Sequence, residues 1–326
     1  MKTEILKILE NQRGKFISGE ELAKNFNVTR AAVWTAVDSL RSEGHKIKAV
    51  TNKGYMLENF SDVLTEKGIK AHLKKNSKIS RVIYFEKIDS TNTYAKHLAL
   101  SEKNTEHGTL IAANFQTAGR GRHGHNFESP AGTGLYMSLI LRPKIEISKF
   151  QMITIAVAVA ACLAIEDLYE DSKEKLKIKW VNDVFFMDKK IAGILTEAVT
   201  NIESGEIEYV VTGIGINVST KKFKGEFSAG SIFDEGEFIF SRNELCAKVA
   251  DYIMDFAENL GSKNLIDEYR KRSMLTGKNI TYIKNDVQHS AYVNGIDDQG
   301  GLVITNDSGE KETLRSGEVF MVRNLS

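Results

Sequence analysis

The sequence predicts an α+β chain in three parts: an N-terminal winged helix-turn-helix (1–62), a central α/β unit built on a mixed sheet (63–272) and a small C-terminal β-barrel (273–326). Three observations carry this. The first 60 residues read as helix, helix, short turn, helix and then a basic hairpin. The middle alternates strand-like and helix-like runs around one very apolar stretch, Met152–Ile165. From Leu275 the texture changes to short strands broken at IKND, DDQGG and NDSGE, the tight spacing of a small antiparallel barrel.

In the first part, Ile5, Leu6 and Leu9 mark one helical stripe. Ser18-Gly-Glu-Glu21 fits a capping box and opens a second helix with Leu22, Ala23 and Phe26 inward. After the turn at Asn27-Val28, Thr29 can cap a third helix from Arg30 to about Ser42. Val33, Val37 and Leu40 recur there at i, i+4 and i+7 and should bury. The sequence HKIKAV-TNKG-YMLE then reads as a hairpin wing. Such a unit lays its third helix in the major groove. The DNA-facing set is Ser18, Thr29, Arg30, Trp34, Thr35, Lys48 and Lys53, with Lys46 beside the wing lysines as a phosphate contact. The competing reading is a small helical protein-interaction domain with Trp34 as a core aromatic.

Ser61 to Ser80 reads as a helix or linker. In the central part RVIYFEKI, TLIAANFQ, GLYMSLILRP and IEYVVTGIGINVS read as strands, STNTYAKHLALSE and Lys149–Tyr169 as helices. LKIKWVNDVFF and IAGILTEAV should form a hairpin around Met187-Asp-Lys-Lys190, and Arg242–Leu260 an amphipathic helix.

Composition excludes several classes. With 42% hydrophobic and 27% charged residues the chain is globular, and its net charge of +1 argues nothing by itself. Residues 1–60 hold ten Lys/Arg against seven Asp/Glu, a weak basic tilt. Cys162 and Cys246 sit alone in apolar runs, as in a reducing cytoplasm. The N-terminus is too polar for a signal peptide. Met152–Ile165 is too short to span a bilayer, which needs about 20 apolar residues; it should be a core helix, and no membrane partner is expected.

Gly119-Arg-Gly-Arg-His-Gly-His125 fits G-x-G-x-x-G, yet the residues after Gly124, HNFESPAGTG, cannot open the helix that a dinucleotide fingerprint requires. No Walker loop occurs. What remains is a glycine-rich loop, costly to order, in which Arg120 and Arg122 offer planar forks to an anion. It suits a lid that folds over an anionic ligand; the alternative is a solvated surface loop. His123 and His125 lack further ligands nearby and do not make a metal site.

Five segments occur in order: Ser90-Thr-Asn92, Gln116-Thr-Ala-Gly-Arg-Gly-Arg122, Lys179-Trp-Val-Asn-Asp183, Lys190-Ile-Ala-Gly193-Ile-Leu and Gly213-Ile-Gly-Ile-Asn217. This series resembles the biotin protein ligases, and the N-terminal unit resembles the repressor type that also controls biotin genes. The resemblance implies a class II aminoacyl-tRNA-synthetase-like central ligase domain and an SH3-like C-terminal barrel. It implies formation of biotinyl-5′-AMP from biotin and ATP with Mg2+, and transfer to a lysine of the biotin carboxyl carrier domain of acetyl-CoA carboxylase or a related carboxylase. It also implies operator DNA as a partner and a homodimer when biotinyl-5′-AMP is bound.

By the same resemblance the biotin-binding residues are Ser90, Thr91, Asn92, Gln116, Gly119, Arg120, Gly121, Arg122, Lys190, Gly193, Gly213 and Gly215. The ATP-binding residues are Arg122, Phe127, Asn182, Asp183, Lys190 and Asn217. Arg120, Arg122, Lys190 and Asp183 would be catalytic, the three cations neutralising charge where carboxylate meets α-phosphate. Asp183 is a candidate for Mg2+, for the adenine amine or for the ribose; the sequence does not choose. Two departures stand out: His123-Gly-His125-Asn126-Phe127 replaces the further basic residues and Trp usual in the family, so Phe127 would supply the aromatic contact with adenine. Val181 stands where Pro is usual. The competing functions are a lipoate-type ligase and a non-catalytic biotin-sensing transcription factor.

Overall fold

The computed structural model describes residues 1–59, 61–101, 105–200, 207–221, 223, 228–233, 239–284 and 287–321; Asn285 and Asp286 of the IKND turn lie outside them. The N-terminal part is α1 (Lys2–Asn11), α2 (Gly19–Phe26), α3 (Arg30–Ser42) and an antiparallel wing, β1 (Ile47–Val50) and β2 (Gly54–Leu57). Both expected caps form: Ser18 Oγ accepts from Glu21 N at 2.9 Å and Thr29 Oγ1 from Ala32 N at 3.2 Å. Ile5, Leu9, Leu22, Val33, Val37, Leu40, Ile47 and Leu57 close one separate apolar cluster. Trp34 is 57% exposed, so it is not a core aromatic.

The central part continues with α4 (Glu66–His72), β3 (Arg81–Phe85), α5 (Thr91–Ser101), β4 (Thr109–Ala113), β5 (Gly134–Leu141), α6 (Phe150–Leu168), β6 (Leu176–Lys179), β7 (Asp183–Phe186), β8 (Lys189–Thr200), β9 (Ile207–Asn217), α7 (Arg242–Ala257) and α8 (Lys263–Lys271). Its sheet has the order β3-β4-β5-β9-β8-β7-β6, with β3 parallel to β4 and the other neighbours antiparallel. The C-terminal strands β10 (Asn279–Lys284), β11 (Val287–Ile296), β12 (Leu302–Asn306), β13 (Lys311–Leu314) and β14 (Val319–Met321) form one antiparallel sheet, ordered β13-β12-β11-β10-β14. Its apolar residues, Ile280, Val293, Leu302 and Ile304 among them, join the same cluster as the central core.

The structure differs from the sequence expectation in three elements. LKIKWVNDVFF is two strands, not one: the chain reverses at Trp180–Asn182 because Trp180 is buried there, its indole donating to Gly300 O at 2.9 Å. The second reversal is a two-residue turn at Met187 and Asp188, both at positive φ, the geometry that matches strand twist. Helix α7 stops at Ala257, and the polar sequence of α8 hid a helix that buries Leu265, Ile266 and Tyr269.

For α6, length is not the deciding argument. With the turn before it, the segment runs 22 residues from Ile147 to Leu168, enough by length and composition to cross a bilayer. Burial decides: 13 of its 19 helical residues are buried within the central core, which also holds Leu245, Val249 and Ile253 of α7.

Contacts that seat the N-terminal part on the centre include Lys7 Nζ donating to Ala71 O at 3.1 Å and two buried pairs. Asp62 Oδ2 accepts from Arg242 Nε at 2.6 Å with both side chains 2% exposed, and its Oδ1 accepts from the Arg242 backbone N at 3.0 Å; Arg242 also donates to Gly134 O and Asn114 Oδ1. His72 Nε2 and Glu10 Oε2 meet at 2.6 Å between α4 and α1.

Candidate functional site

One transverse row of the sheet organises the site. Register places Tyr136 of β5 opposite Gly215 of β9, Gly215 opposite Gly193 of β8, Gly193 opposite Asp183 of β7 and Asp183 opposite Lys179 of β6. Partners across a sheet point to one face, so this row runs from an aromatic through two glycines to a carboxylate and an ammonium. The neighbouring row carries Ser138 opposite Gly213 and Gly213 opposite Leu195. Helix α5 covers the same face, since Ala95 and Leu98 pack with Ile111 and Ile140. Alternate residues such as Ile194, Ile214 and Ile216 point the other way into the core.

The glycines have a steric reason. A Cβ on Gly213 would lie 1.9 Å from Asn92 Oδ1, and one on Gly215 would lie 2.3 Å from Phe127 Cε1. On Gly193 it would meet the other edge of the same ring at 3.3 Å. The floor is therefore bare backbone with Asn92 and Phe127 seated on it.

A neutral hydrogen-bond chain borders this floor. Gln116 Oε1 accepts from Thr91 N at 2.8 Å, and Gln116 Nε2 donates to Ser129 Oγ at 2.8 Å. Ser138 Oγ lies 2.7 Å from Thr91 Oγ1 and 2.6 Å from Asn92 Oδ1. Asn92 Nδ2 is committed to Leu195 O and Glu197 Oε2, both at 3.1 Å, so its amide presents oxygen to Ser138. Ser90, Thr91, Asn92, Gln116 and Ser138 are all buried. Together with Arg120, Met137 and the three glycines, four of these (Ser90, Thr91, Asn92 and Gln116) line a small cavity of about 20 Å3. Uncharged donors and acceptors beside bare backbone suit a flat, neutral, polar ring.

Phe127 is the wall between this cavity and a second one of about 500 Å3. Arg120, Arg122, Lys179 and Lys190 bring four cations to the larger cavity, and Asp183 and Glu318 two of its carboxylates. Lys190 Nζ lies 3.2 Å from Asp183 Oδ1, so the β7–β8 hairpin returns the lysine to the aspartate as expected. Arg122 Nη1 donates to Asn182 Oδ1 at 2.9 Å, and Asn182 Nδ2 donates to Ile194 O at 3.1 Å. Asn217 lines the same cavity, and its buried Oδ1 has no hydrogen-bond partner among the described residues. The arginine loop is folded on itself: Gly121 N donates to His125 O, His125 N to Arg122 O and Phe127 N to Gly119 O. A Cβ on Gly119 would lie 2.4 Å from Phe127 O, which explains that glycine sterically. No group of three or more His, Cys, Asp or Glu suited to a metal occurs among the described residues.

The structure thus gathers Ser90, Thr91, Asn92, Gln116, Gly213 and Gly215 at one cavity and Gly121, Arg122, Asn182, Asp183, Lys190 and Asn217 at the other, with Arg120, Phe127 and Gly193 on both, while Gly119 lines neither. Sequence reasoning missed Ser138, Ser129, Lys179 and the C-terminal residues Glu318 and Phe320. Ser138 was signalled as the lone polar residue in GLYMSLIL, and Lys179 by its place beside Trp180; nothing local marked Glu318.

On the N-terminal part, α3 buries Val33, Ala36, Val37 and Leu40 and leaves Arg30, Trp34 and Thr35 exposed. The hydroxyls of Ser18 and Thr29 accept as caps, and Thr35 donates to Ala31 O at 3.1 Å. Lys48 pairs with Glu58 at 2.7 Å, and Lys53 lies 5.9 Å from the exposed Phe16 ring.

Residues 84–217 match the family described as Biotin/lipoate A/B protein ligase family, and residues 2–56 match an HTH domain. The chain is thus similar to this ligase family over its centre and to helix-turn-helix domains over its N-terminal part. It is 37% identical over 219 residues to the Bifunctional ligase/repressor BirA of Bacillus subtilis, an alignment covering 67% of this chain and 65% of that protein. The chain therefore spans just under two thirds of that relative's length. Its likeness to the Bifunctional ligase/repressor BirA of Escherichia coli is 29% over 326 residues, 97% of each. Among solved structures, biotin protein ligase from Aquifex aeolicus in complex with biotin and ATP superposes with TM-score 0.60 at 25% identity, covering 75% of this chain and 100% of that one.

Proposed function

We propose that this chain is an ATP-dependent ligase that forms biotinyl-5′-AMP and transfers biotin to one lysine of a biotin carboxyl carrier domain, of acetyl-CoA carboxylase or a related carboxylase, and that it represses biotin genes when it holds the adenylate. The observation that carries the reading is Phe127, standing between a small neutral polar cavity over glycine backbone and a large cavity lined by four cations. The neutral donors and acceptors of the first match the cyclic head of an acyl group, which its volume of about 20 Å3 admits once the Phe127 ring swings off Gly193 and Gly215; a nucleotide fits the second.

Chemically, an acyl carboxylate oxygen attacks the α-phosphorus and pyrophosphate departs. Two anions approach each other, and Arg120, Arg122 and Lys190 neutralise that approach without reorganising. Asn182 holds the Arg122 guanidinium and Asp183 holds the Lys190 ammonium, so both cations are preset. In the second step the acceptor lysine's Nζ, as the neutral amine, attacks the acyl carbon, the carbon–oxygen bond to phosphate breaks, AMP leaves and the surplus proton on nitrogen passes to solvent. Asn217 Oδ1 supplies the acceptor that an adenine amine requires. Thr91, Asn92, Gln116 and Ser90 orient the ureido ring, while Gly119 and Gly121 let the loop's backbone close. Mg2+ held by one carboxylate and phosphate oxygens needs no protein cage; Asp183 is the carboxylate on the row that fits, and bound there the ion would offset phosphate charge.

In the same reading the limits 1–62, 63–272 and 273–326 are domain boundaries, the central sheet is class II aminoacyl-tRNA-synthetase-like, and the C-terminal sheet is an SH3-like barrel. The protein acts in the cytoplasm and binds operator DNA as a homodimer through Arg30, Trp34, Thr35, Lys48 and Lys53, with Ser18 and Thr29 at the helix starts. The test supplies biotin, Mg-ATP and a carrier domain. Pyrophosphate release and labelled carrier are expected; neither appearing rejects the ligase. Lipoate outcompeting biotin would make it a lipoate-type ligase. Biotin-dependent operator binding that persists in Arg122→Ala, with no turnover in the parent protein, would make it a sensor.

A further inference from the structure

We propose that Lys179 is a further catalytic residue, the cation that receives the β- and γ-phosphates of ATP and then the departing pyrophosphate, and that Phe320 of the C-terminal sheet positions it. The inference rests on the ligase reading and extends it to a residue and a domain that the reading leaves idle.

The argument begins with register. Lys179 is the cross-strand partner of Asp183, and Asp183 of Gly193, so the lysine ends the row on which the acyl floor lies. Its neighbours Ile178 and Trp180 are buried, whereas the Lys179 side chain is half-buried on the wall of the large cavity. Strands lie about 4.8 Å apart, which puts Lys179 roughly 10 Å beyond Gly193, past Lys190 and Asp183. The acyl carboxylate meets the α-phosphate near Lys190; the rest of a triphosphate extends beyond that point.

Charge supports the same placement. Lys190 is paired to Asp183 and Arg122 is bonded to Asn182. Among the described residues Lys179 has no ion pair; its ammonium instead lies 5.6 Å from the Phe320 ring centroid. An aromatic face holds an ammonium without neutralising it, so the full positive charge stays available to an anion. Phe320 and Val319 also line the cavity, which makes the C-terminal sheet part of its wall. In the reaction the bond between the α-phosphorus and the bridging oxygen breaks, and the electron pair leaves on pyrophosphate. Lys179 stabilises that growing charge electrostatically, with no proton transferred.

The test uses the full chain and separates the half-reactions. Lys179→Met, Lys179→Arg and Phe320→Leu are assayed for biotin-dependent pyrophosphate release, and separately for transfer from supplied biotinyl-5′-adenylate to a carrier domain. Lys179→Met is expected to lower kcat/KM for ATP about 100-fold, the scale of removing one charge-stabilising donor, with transfer within about twofold of the parent. Lys179→Arg should recover most of the loss, and Phe320→Leu should raise the KM for ATP a few-fold with kcat nearly kept. Intact transfer also shows that the variants fold. Both half-reactions falling together, transfer falling alone, or neither changing overturns the proposal. A parent protein that releases no pyrophosphate sinks the ligase reading itself, a distinguishable failure.

Discussion

The sharpest test of the acyl floor is Gly215→Ala. The new methyl carbon would stand 2.3 Å from Phe127 Cε1 and 2.6 Å from Cζ, against an ordinary contact of at least 3.4 Å, so about 1.1 Å must be made up. Phe127 N is bonded to Gly119 O and Ser129 Oγ donates to Phe127 O at 3.0 Å, so the backbone is held and the strain falls on the ring's own torsions. Overpacking of this kind costs about 1–3 kcal/mol, and here it falls on the face that receives the ligand. At 1.36 kcal/mol per decade, the KM for biotin should rise about 5- to 150-fold. Gly193→Ala meets the same ring at 3.3 Å, so its effect should stay within roughly threefold. Gly213→Ala would place its methyl 1.9 Å from Asn92 Oδ1, breaking the Ser138 contact, and should match or exceed Gly215→Ala. The assay is the initial rate of pyrophosphate release against biotin concentration, with thermal unfolding as the control for folding. Equal KM values in all three variants, or a larger effect at Gly193 than at Gly215, would refute the steric account of the floor.

Other expectations follow from individual contacts. Lys190→Met should lower adenylate formation by a factor of about 100 to 1,000, read as pyrophosphate release; an unchanged rate would remove Lys190 from the chemistry. Asp62→Ala leaves Arg242 buried and unpaired, so it should cost about 3–5 kcal/mol; a melting temperature equal to that of the parent would contradict the pair's role in seating the N-terminal part. Burial holds the His45 imidazole below its ordinary pKa of 6.5, despite nearby Glu10 and Glu43, and its Nε2 has no partner. The unfolded chain therefore binds the proton first as pH falls through 6.5, and stability drops on the acid side. His45→Leu should flatten the fall in melting temperature between pH 7.5 and pH 5.5, and an unchanged slope would place the effect elsewhere. Burial pushes the Cys162 thiol up to about 12 and raises Cys246 too, so iodoacetamide should label neither in the folded protein.

What the chain's order of residues determined was whatever depends on neighbours along it. Ser18 and Thr29 cap because their own hydroxyls reach amides three residues on. Val33, Val37 and Leu40 bury because their spacing alone puts them on one helix face. The turn at Met187 and Asp188 returns Lys190 to Asp183 because two residues suffice to reverse a strand. The motif set marked most of the residues that line the two cavities for the same reason: each motif is a local segment.

Tertiary structure decided what depends on register between distant segments. No local pattern aligns Lys179, Asp183, Gly193, Gly215 and Tyr136, since that row is set by hydrogen-bond pairing among five strands. Ser138 reads as a flaw in an apolar strand until Thr91 and Asn92 arrive from α5 to bond it. The 22-residue segment around α6, long and apolar enough to cross a bilayer, is a buried core element because a sheet and α7 cover it. Phe320 meets Lys179 across some 140 residues of chain. Short-range geometry is written in adjacent side chains; packing between remote strands follows from which surfaces can close without leaving polar groups or voids unfilled, and that is a property of the folded whole.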